Sequence, residues 1–261
     1  MIRAVIAGAA GKMGSRILAA VREEKDFTVT GAFERTGSDL VGREVCGIPI
    51  APGIEQALEK GADVVIDFTA PAASVHHAAV CADRGIALVI GTTGLNDDQT
   101  KALRAASRRI PLLLAPNMSA GVNVLFRLVA DAARALGDAY DIEIVEAHHR
   151  MKRDAPSGTA LRLAEVAADA LGLKAKDPYV YGRHGDTGPR KSGTIGVSAV
   201  RGGDVVGDHT VHFLADGERL ELTHRAASRD NFARGAVRAA RWVSGRKAGF
   251  YDMQDVLGLR T

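Results

Sequence analysis

Short apolar runs alternate with amphipathic stretches through the first half of the chain. Residues 2–8 read as a buried strand. Residues 13–24 read as a helix, with Met13, Ile17, Leu18 and Val21 on one face. Further apolar runs at 27–34, at 64–66 (ended by Asp67), at 87–90 and at 111–115 predict four more strands. Residues 71–84 predict a helix with Pro71 in its first turn, where a missing N–H costs nothing. A second intervening helix is expected at 97–108, and a loop rich in Gly and Pro at 35–53. Strands that are apolar throughout and separated by helices predict a parallel sheet covered on both faces.

The texture changes after Pro116. Residues 119–136 predict one long helix capped by Ser119, with Val122, Leu125, Phe126 and Val129 inward. Residues 141–148 set Ile142, Ile144 and Ala147 against Glu143, Glu146 and His148, the pattern of a strand with one exposed face. A helix is expected at 159–171. The stretch 174–193, rich in Gly and basic residues, reads as a long loop, and loops of that length are usually functional or mobile. Strand-like runs follow at 195–201, 210–214 and 220–224, the last two joined by the hairpin dipeptide Asp216-Gly217. A closing helix at 232–243 is expected to return to the first half and cover an apolar sheet face. The predicted class is α/β: a Rossmann-like parallel-sheet domain (1–118 with 230–261), plus a smaller α+β domain with a mixed open sheet (119–229).

Composition narrows this little. A formal net charge of +3 over 261 residues is too small to point to nucleic acid. Cys46 and Cys81 have neither metal-ligand nor redox spacing, so both are expected to be reduced and structural. No apolar run approaches the roughly 20 residues that span a bilayer. The amino terminus runs straight into a strand pattern, and a cytoplasmic location is expected.

Gly8-Ala9-Ala10-Gly11-Lys12-Met13-Gly14 follows a strand and opens a helix. Glycines there permit a tight turn and close backbone approach to a pyrophosphate, which then faces the unpaired N–H groups of a helix N-terminus. Glu34 stands at the end of the second strand, where an acidic residue would meet ribose hydroxyls. Arg35 beside it suits a 2′-phosphate, so both NADH and NADPH are expected cofactors. The next three strands end in Asp67-Phe68-Thr69-Ala70-Pro71, in Gly91-Thr92-Thr93-Gly94 and in Ala115-Pro116-Asn117-Met118. Ligands of open α/β sheets sit at the carboxyl ends of strands, so these turns are expected to line the nicotinamide side of the cleft.

The most informative run covers residues 146–160 and reads Glu-Ala-His-His-Arg-Met-Lys-Arg-Asp-Ala-Pro-Ser-Gly-Thr-Ala. Arg150, Lys152, Arg153 and a protonated His suit a substrate with two carboxylates. Ser157-Gly158-Thr159 opens a helix whose N-terminus, with the Thr159 hydroxyl, would cradle one of them. Hydride added to a C=C–C=N system leaves negative charge that must be protonated, and His is a suitable proton source near neutral pH. Lys152 would act beside it as a cationic acid or an electrostatic anchor. No neighbouring residues have helical metal-ligand spacing, so no metal is expected.

With these motifs in hand the chain resembles the 4-hydroxy-tetrahydrodipicolinate reductase (dihydrodipicolinate reductase) family of the diaminopimelate route to lysine. The family pattern E-x-H-H-x-x-K-x-D-x-P-S-G-T-A is matched throughout 146–160. The Gly8 to Gly14 opening, Glu34-Arg35, Asp67-Phe68-Thr69, Gly91 to Gly94 and the run from Asn117 to Asn123 follow in the right order. The resemblance implies His148 as proton donor with Lys152 as partner acid, and His149, Gly158 and Thr159 as carboxylate binders. It implies Gly8, Ala9, Ala10, Gly11, Lys12, Met13, Glu34, Gly91, Thr92, Thr93, Ala115, Pro116, Asn117 and Met118 as dinucleotide contacts, with Phe68 and Thr69 near them. It also implies a homotetramer built through the sheets of the substrate domain. Lys12 stands where many members carry Arg, and Pro116 where some carry Ala. The alternative is another two-domain NAD(P)-dependent dehydrogenase acting on a small carboxylate. A non-enzymatic NAD(H) sensor would need no proton donor.

Overall fold

The computed structural model describes residues 1–173 and 178–260. Its elements, in order, are β1 (Ile2–Ala7), α1 (Gly14–Glu23), β2 (Phe27–Glu34), β3 (Glu44–Val45), β4 (Ile48–Pro52), α2 (Ile54–Ala57), β5 (Val64–Asp67), α3 (Pro71–Arg84), β6 (Ala87–Ile90), α4 (Asp97–Ala106) and β7 (Pro111–Leu114). Then come α5 (Ala120–Leu136), β8 (Asp141–His148), α6 (Gly158–Leu171), β9 (Tyr179–Tyr181), β10 (Ile195–Arg201), β11 (Gly207–Ala215), β12 (Glu218–Ala226), α7 (Asp230–Val243), β13 (Gly249–Tyr251) and α8 (Met253–Leu257). They form two compact units, Met1–Ala120 with Asp230–Thr261, and Gly121–Arg229.

The first unit holds an eight-stranded sheet in the order β13-β7-β6-β5-β1-β2-β4-β3. All pairs are parallel except β3 with β4. Period-two alternation sends Ala4 and Ile6 of β1 to one face, with Ile17, Leu18 and Val21 of α1 and Ala236, Val237 and Ala240 of α7. Val5 and Ala7 point to the other face, with Ile54 of α2, Ala78 and Cys81 of α3 and Leu103 of α4. Both faces are therefore dry, which is why these strands are apolar throughout. The chain adds β2 and β4 on one side of β1 and β5, β6 and β7 on the other, so the strand order reverses between β1 and β5. In this topology that point opens a crevice at the strands' carboxyl ends.

The second unit holds a five-stranded mixed sheet, β12-β11-β8-β10-β9. β8, β10 and β9 run parallel, while β11 is antiparallel to β8 and to β12. Leu125 and Val129 of α5 and Leu163, Ala164 and Ala167 of α6 pack on one face against Ile142, Ile144, Ile195, Val197, Val211 and Phe213. Ala215 pairs with Glu218, so Asp216 and Gly217 alone make the hairpin turn, with Gly217 at φ 77°.

Several expectations are corrected. The loop expected at 35–53 contains β3 and β4, and β4 extends the parallel sheet beside β2 despite Pro49. Its only other neighbour is the two-residue β3, so β4 lies near the sheet edge, where proline is tolerated. β13 and α8 follow the last predicted helix, and β13 closes the other edge against β7. Within the loop expected at 174–193, residues 174–177 lie outside the described residues, and Tyr179–Tyr181 form β9. On β8, Glu146 and His148 share the inner face with Ile142 and Ile144, and all four are buried. Ala147 and Val145 point the other way, so the expected facing of Glu146, His148 and Ala147 was inverted. Cys81 is buried, and burial pushes its thiol up to about 12; Cys46 is exposed at φ 52°.

Candidate functional site

In the first unit the glycine-rich turn is built by close packing. The Gly8 amide donates to the Phe33 carbonyl (2.9 Å) and Gly11 N donates to Gly8 O (2.9 Å). A Cβ on Gly14 would lie 2.0 Å from the Gly8 carbonyl oxygen and 2.8 Å from Ala9 Cα, so α1 can begin this close to the turn only with glycine there. Met13 caps α1 without a side-chain hydrogen bond, and the first turn holds no acidic residue. The Ser15 amide donates to the Gly11 carbonyl (3.1 Å), but no side chain caps or neutralises the helix end, so its dipole stays available to an outside anion. The Ala10 amide donates to Glu34 Oε1 (3.0 Å), which brings the Glu34 carboxylate to the rim of the same turn. Arg35 and Lys12 are exposed beside it.

The neighbouring strand ends are bound into one network. Buried Asp67 accepts from the Thr69 amide (2.9 Å) and hydroxyl (2.6 Å) through Oδ1, and its Oδ2 lies 2.8 Å from His77 Nδ1. Thr92 Oγ1 accepts from Thr69 N (3.1 Å) and Ser74 Oγ (2.8 Å). A Cβ on Gly91 would meet the Phe68 ring at 2.2 Å, and one on Gly8 would meet the Thr69 methyl at 3.0 Å. Gly8, Phe68, Thr69, Gly91 and Thr92 are therefore contiguous at the carboxyl ends of β1, β5 and β6. Thr69, Thr93 and Pro116 are exposed, and Asn117 is half-buried. The side chains of Ala9, Thr92, Ala115 and Met118 point into the protein, so only their backbones can face a ligand. His77 and Ser74, which hold the turn from beneath, carry no mark in the sequence, because only the fold brings α3 under β5.

In the second unit the inner face of β8 changes chemistry along its length, from Ile142 and Ile144 to Glu146 and His148. The sheet register sets Arg201 of β10 beside His148 and His209 of β11 beside Glu146. His148 Nδ1 lies 2.6 Å from Glu146 Oε2. A carboxylate only accepts, so the Nδ1 proton is donated to it and Nε2 is left bare. Glu146 is held below its ordinary carboxylate value. Burial alone would raise it, but Arg201, His148 and the Ser157 amide outweigh burial. His148 is depressed below the ordinary imidazole value because burial outweighs the attraction of Glu146. A Cβ on Gly207 would stand 3.0 Å from His148 Nε2, so glycine there leaves room at the ring.

Around this pair, Lys152 donates to Asp154 Oδ1 (2.9 Å) and is largely covered. Half-buried His149 accepts at Nε2 from Arg229 (3.3 Å). Ser157 caps α6, its Oγ accepting from the Ala160 amide (3.2 Å), and Gly158 and Thr159 begin the helix. Arg150 and Arg153 are exposed. The structure thus gathers His148, Lys152, Ser157, Gly158 and Thr159 at one end of the unit. Arg201, His209 and Gly207 carry no mark in the sequence, since they come from distant strands that only the register brings to β8. Glu146 was legible in principle, since it stands two positions before His148 and so on the same strand face.

His209 is buried, with Nε2 2.9 Å from Ser157 Oγ, and burial together with the neighbouring His148 lowers it to about 4. The unfolded chain therefore binds this proton more readily than the folded one. The His209 contribution to stability is complete above about pH 6.5 and is lost as pH falls toward about 4, roughly 2 kcal/mol by pH 5. Urea melts of the parent protein and His209→Asn at pH 7.5 and 5 check this. The parent should lose about 2 kcal/mol more than the variant across that range, and equal losses would contradict it.

Among the described residues, no group of three or more His, Cys, Asp or Glu is placed to hold a metal, and no helix is long and apolar enough to cross a membrane. A doubly covered parallel sheet with a glycine-rich turn at its switch point, and a separate unit presenting a titratable pair beside a helix N-terminus, define a nicotinamide-dinucleotide-dependent oxidoreductase. The family models for the dihydrodipicolinate reductase N-terminus and C-terminus match residues 2–118 and 121–257. 4-Hydroxy-tetrahydrodipicolinate reductase of Anaeromyxobacter dehalogenans is 54% identical, with 100% of this chain and 99% of that protein aligned. The Myxococcus xanthus enzyme of the same name is 51% identical over the same shares. The fold is also that of a dipicolinate-bound dihydrodipicolinate reductase from Paenisporosarcina sp. TG-14, with TM-score 0.79, 24% identity and 97% of each chain covered. The chain belongs to the dihydrodipicolinate reductase family.

Proposed function

We propose that the chain reduces 4-hydroxy-tetrahydrodipicolinate to tetrahydrodipicolinate with NADH or NADPH, the 4-hydroxyl leaving as water, in the diaminopimelate route to lysine. The observation that carries the chemistry is the buried Glu146–His148 pair beside the first turn of α6. The first unit fits the dinucleotide. A Cβ on Gly14 would collide with the backbone of the turn, the N-terminus of α1 has no side-chain cap, and Glu34 already accepts from the turn's own amide. Gly8, Ala9, Ala10, Gly11, Lys12 and Met13 would hold the pyrophosphate, Glu34 the ribose hydroxyls, and Arg35 and Lys12 a 2′-phosphate. Phe68, Thr69, Gly91, Thr93 and Asn117 would border the nicotinamide.

Reduced nicotinamide, when bound, supplies the hydride. The protein's own task is to hold the two carboxylates and deliver a proton. Lys152, His149 and the Gly158–Thr159 turn would bind the carboxylates, Lys152 exchanging exposed Asp154 for one of them. His148 rests neutral with Nε2 bare, so it must gain the proton it later gives. A bound dicarboxylate brings two negative charges close by, which raises the imidazole's hold on a proton. Substrate binding therefore takes up a proton at Nε2, and that proton quenches the negative charge left on the reduced substrate.

Calorimetric titration of dipicolinate into the dinucleotide complex at pH 7.5, in two buffers of different ionisation enthalpy, tests this. Net uptake of a substantial fraction of a proton is expected. A heat independent of buffer would exclude His148 as the group charged on binding. The sheet face opposite α5 and α6 exposes Val145 and Val200, and Val200 is 51% exposed. Self-association through this face into a homotetramer is part of the proposal. A monomeric mass by light scattering at micromolar concentration would contradict it. A cytoplasmic site of action, with both cysteines reduced, completes the reading.

A further inference from the structure

We propose that Glu146, clamped by Arg201 and the Ser157 amide, is the positioning residue that fixes the tautomer of His148 and leaves Nε2 as the nitrogen that gains and delivers the proton. The inference rests on the proposed reaction, but its geometry stands without it. Glu146 is completely buried, and an isolated carboxylate there would be costly. Both its oxygens are occupied. Oε1 accepts from Ser157 N (2.9 Å) and Arg201 Nη2 (2.7 Å), and Oε2 accepts from His148 Nδ1 (2.6 Å) and Arg201 Nη1 (2.7 Å). The guanidinium is itself held by the carbonyls of Asp154 (2.6 Å) and Val200 (2.7 Å). A carboxylate with four donors in fixed directions cannot rotate to follow the ring, so the ring must follow the carboxylate.

The same carboxylate ties together two functions. Its Oε1 fixes the backbone of Ser157, the cap of α6, whose next residues form the candidate carboxylate cradle. Its Oε2 fixes the candidate proton donor. One buried group thus sets the distance between the anchored end of the substrate and the proton it receives. Four charged or titratable neighbours face His148: Glu146 on its own strand, Arg201 on β10, His209 on β11, and Lys152 on the following loop, itself paired with Asp154. Glu146 supplies the main attraction for a proton on the ring, against burial, Lys152 and Arg201.

Glu146→Gln separates positioning from simple packing. The carboxamide keeps the size and an acceptor for Ser157 N, but it presents an NH2 to His148 Nδ1. The ring then turns Nδ1 into an acceptor and moves its proton to Nε2. In folded Glu146→Gln, kcat should fall about 10²- to 10³-fold while dinucleotide affinity stays unchanged. The alkaline limb of kcat/KM should move to lower pH by about one unit or more. Nitrogen-15 NMR of labelled histidine should find His148 with its proton on Nδ1 in the parent protein and on Nε2 in the variant. A folded variant with the parent's tautomer and pH limb would overturn the proposal. If Glu146→Gln does not fold, the parent protein alone decides, and an Nε2–H resting tautomer would overturn the proposal. The NMR readout needs no substrate, so failure of the proposed reaction is distinguishable from failure of this inference.

Discussion

His148→Gln should lower kcat by about 10²- to 10⁴-fold and leave dinucleotide affinity within about twofold of the parent value. The substitution is close to neutral in shape, and the carboxamide N–H can still donate to Glu146 Oε2, where the imidazole now donates at 2.6 Å. What disappears is a group that can gain a proton near neutral pH and give it up again. Dinucleotide affinity is untouched because the glycine-rich turn, Glu34 and the strand-end network belong to the other unit. A fluorescence titration of NADPH and a steady-state assay on the same preparation separate the two quantities. Unimpaired kcat would remove His148 from the reaction, and a parallel loss of NADPH binding would mean that the variant had disturbed more than the proton donor.

The second large effect is expected from Gly14→Ala, which should weaken dinucleotide binding by about tenfold or more and destabilise the protein by about 1–3 kcal/mol. A Cβ placed 2.0 Å from the Gly8 carbonyl oxygen has no flexible side chain to push aside, since every near atom is backbone. Either α1 retreats from the turn or the turn opens, and both moves take the helix amides away from the position a pyrophosphate would occupy. Thermal melts and NADH titration check this. Unchanged binding in a folded Gly14→Ala protein would mean that the turn does not hold the phosphates.

These two residues show what the sequence could and could not display. Gly14 is legible because a strand-to-helix turn with glycines at this spacing has few purposes, and the flanking apolar periodicity locates it. His148 is legible from the density of titratable residues between Glu146 and Ala160. Its surroundings are not. Arg201 and His209 reach it through register between strands far apart in the chain, and register follows from packing the whole sheet. Grouping by polarity sets Glu146 outward with Glu143 and His148. Strict alternation from Ile142 and Ile144 gives the opposite answer, and the deviation from composition is where the chemistry sits. The short strands β4, β9 and β13 were missed for another reason. Each is at or near a sheet edge, half covered, and broken by residues such as Pro49 and Gly249 that argue against strand. Thr92 and Met118 were rightly placed at strand ends, but the direction of a side chain at a turn depends on what packs beneath it, here Ser74 of α3 and Gly235 of α7.

The reaction is decided by following NADH and NADPH absorbance with 4-hydroxy-tetrahydrodipicolinate generated in the cuvette by the preceding synthase from pyruvate and aspartate semialdehyde. Rapid oxidation of either cofactor, dependent on both the substrate and this protein, is the predicted result, with both cofactors used because Glu34 and Arg35 stand side by side. Normal cofactor binding with no oxidation of either would contradict the assignment and leave only the dinucleotide unit standing.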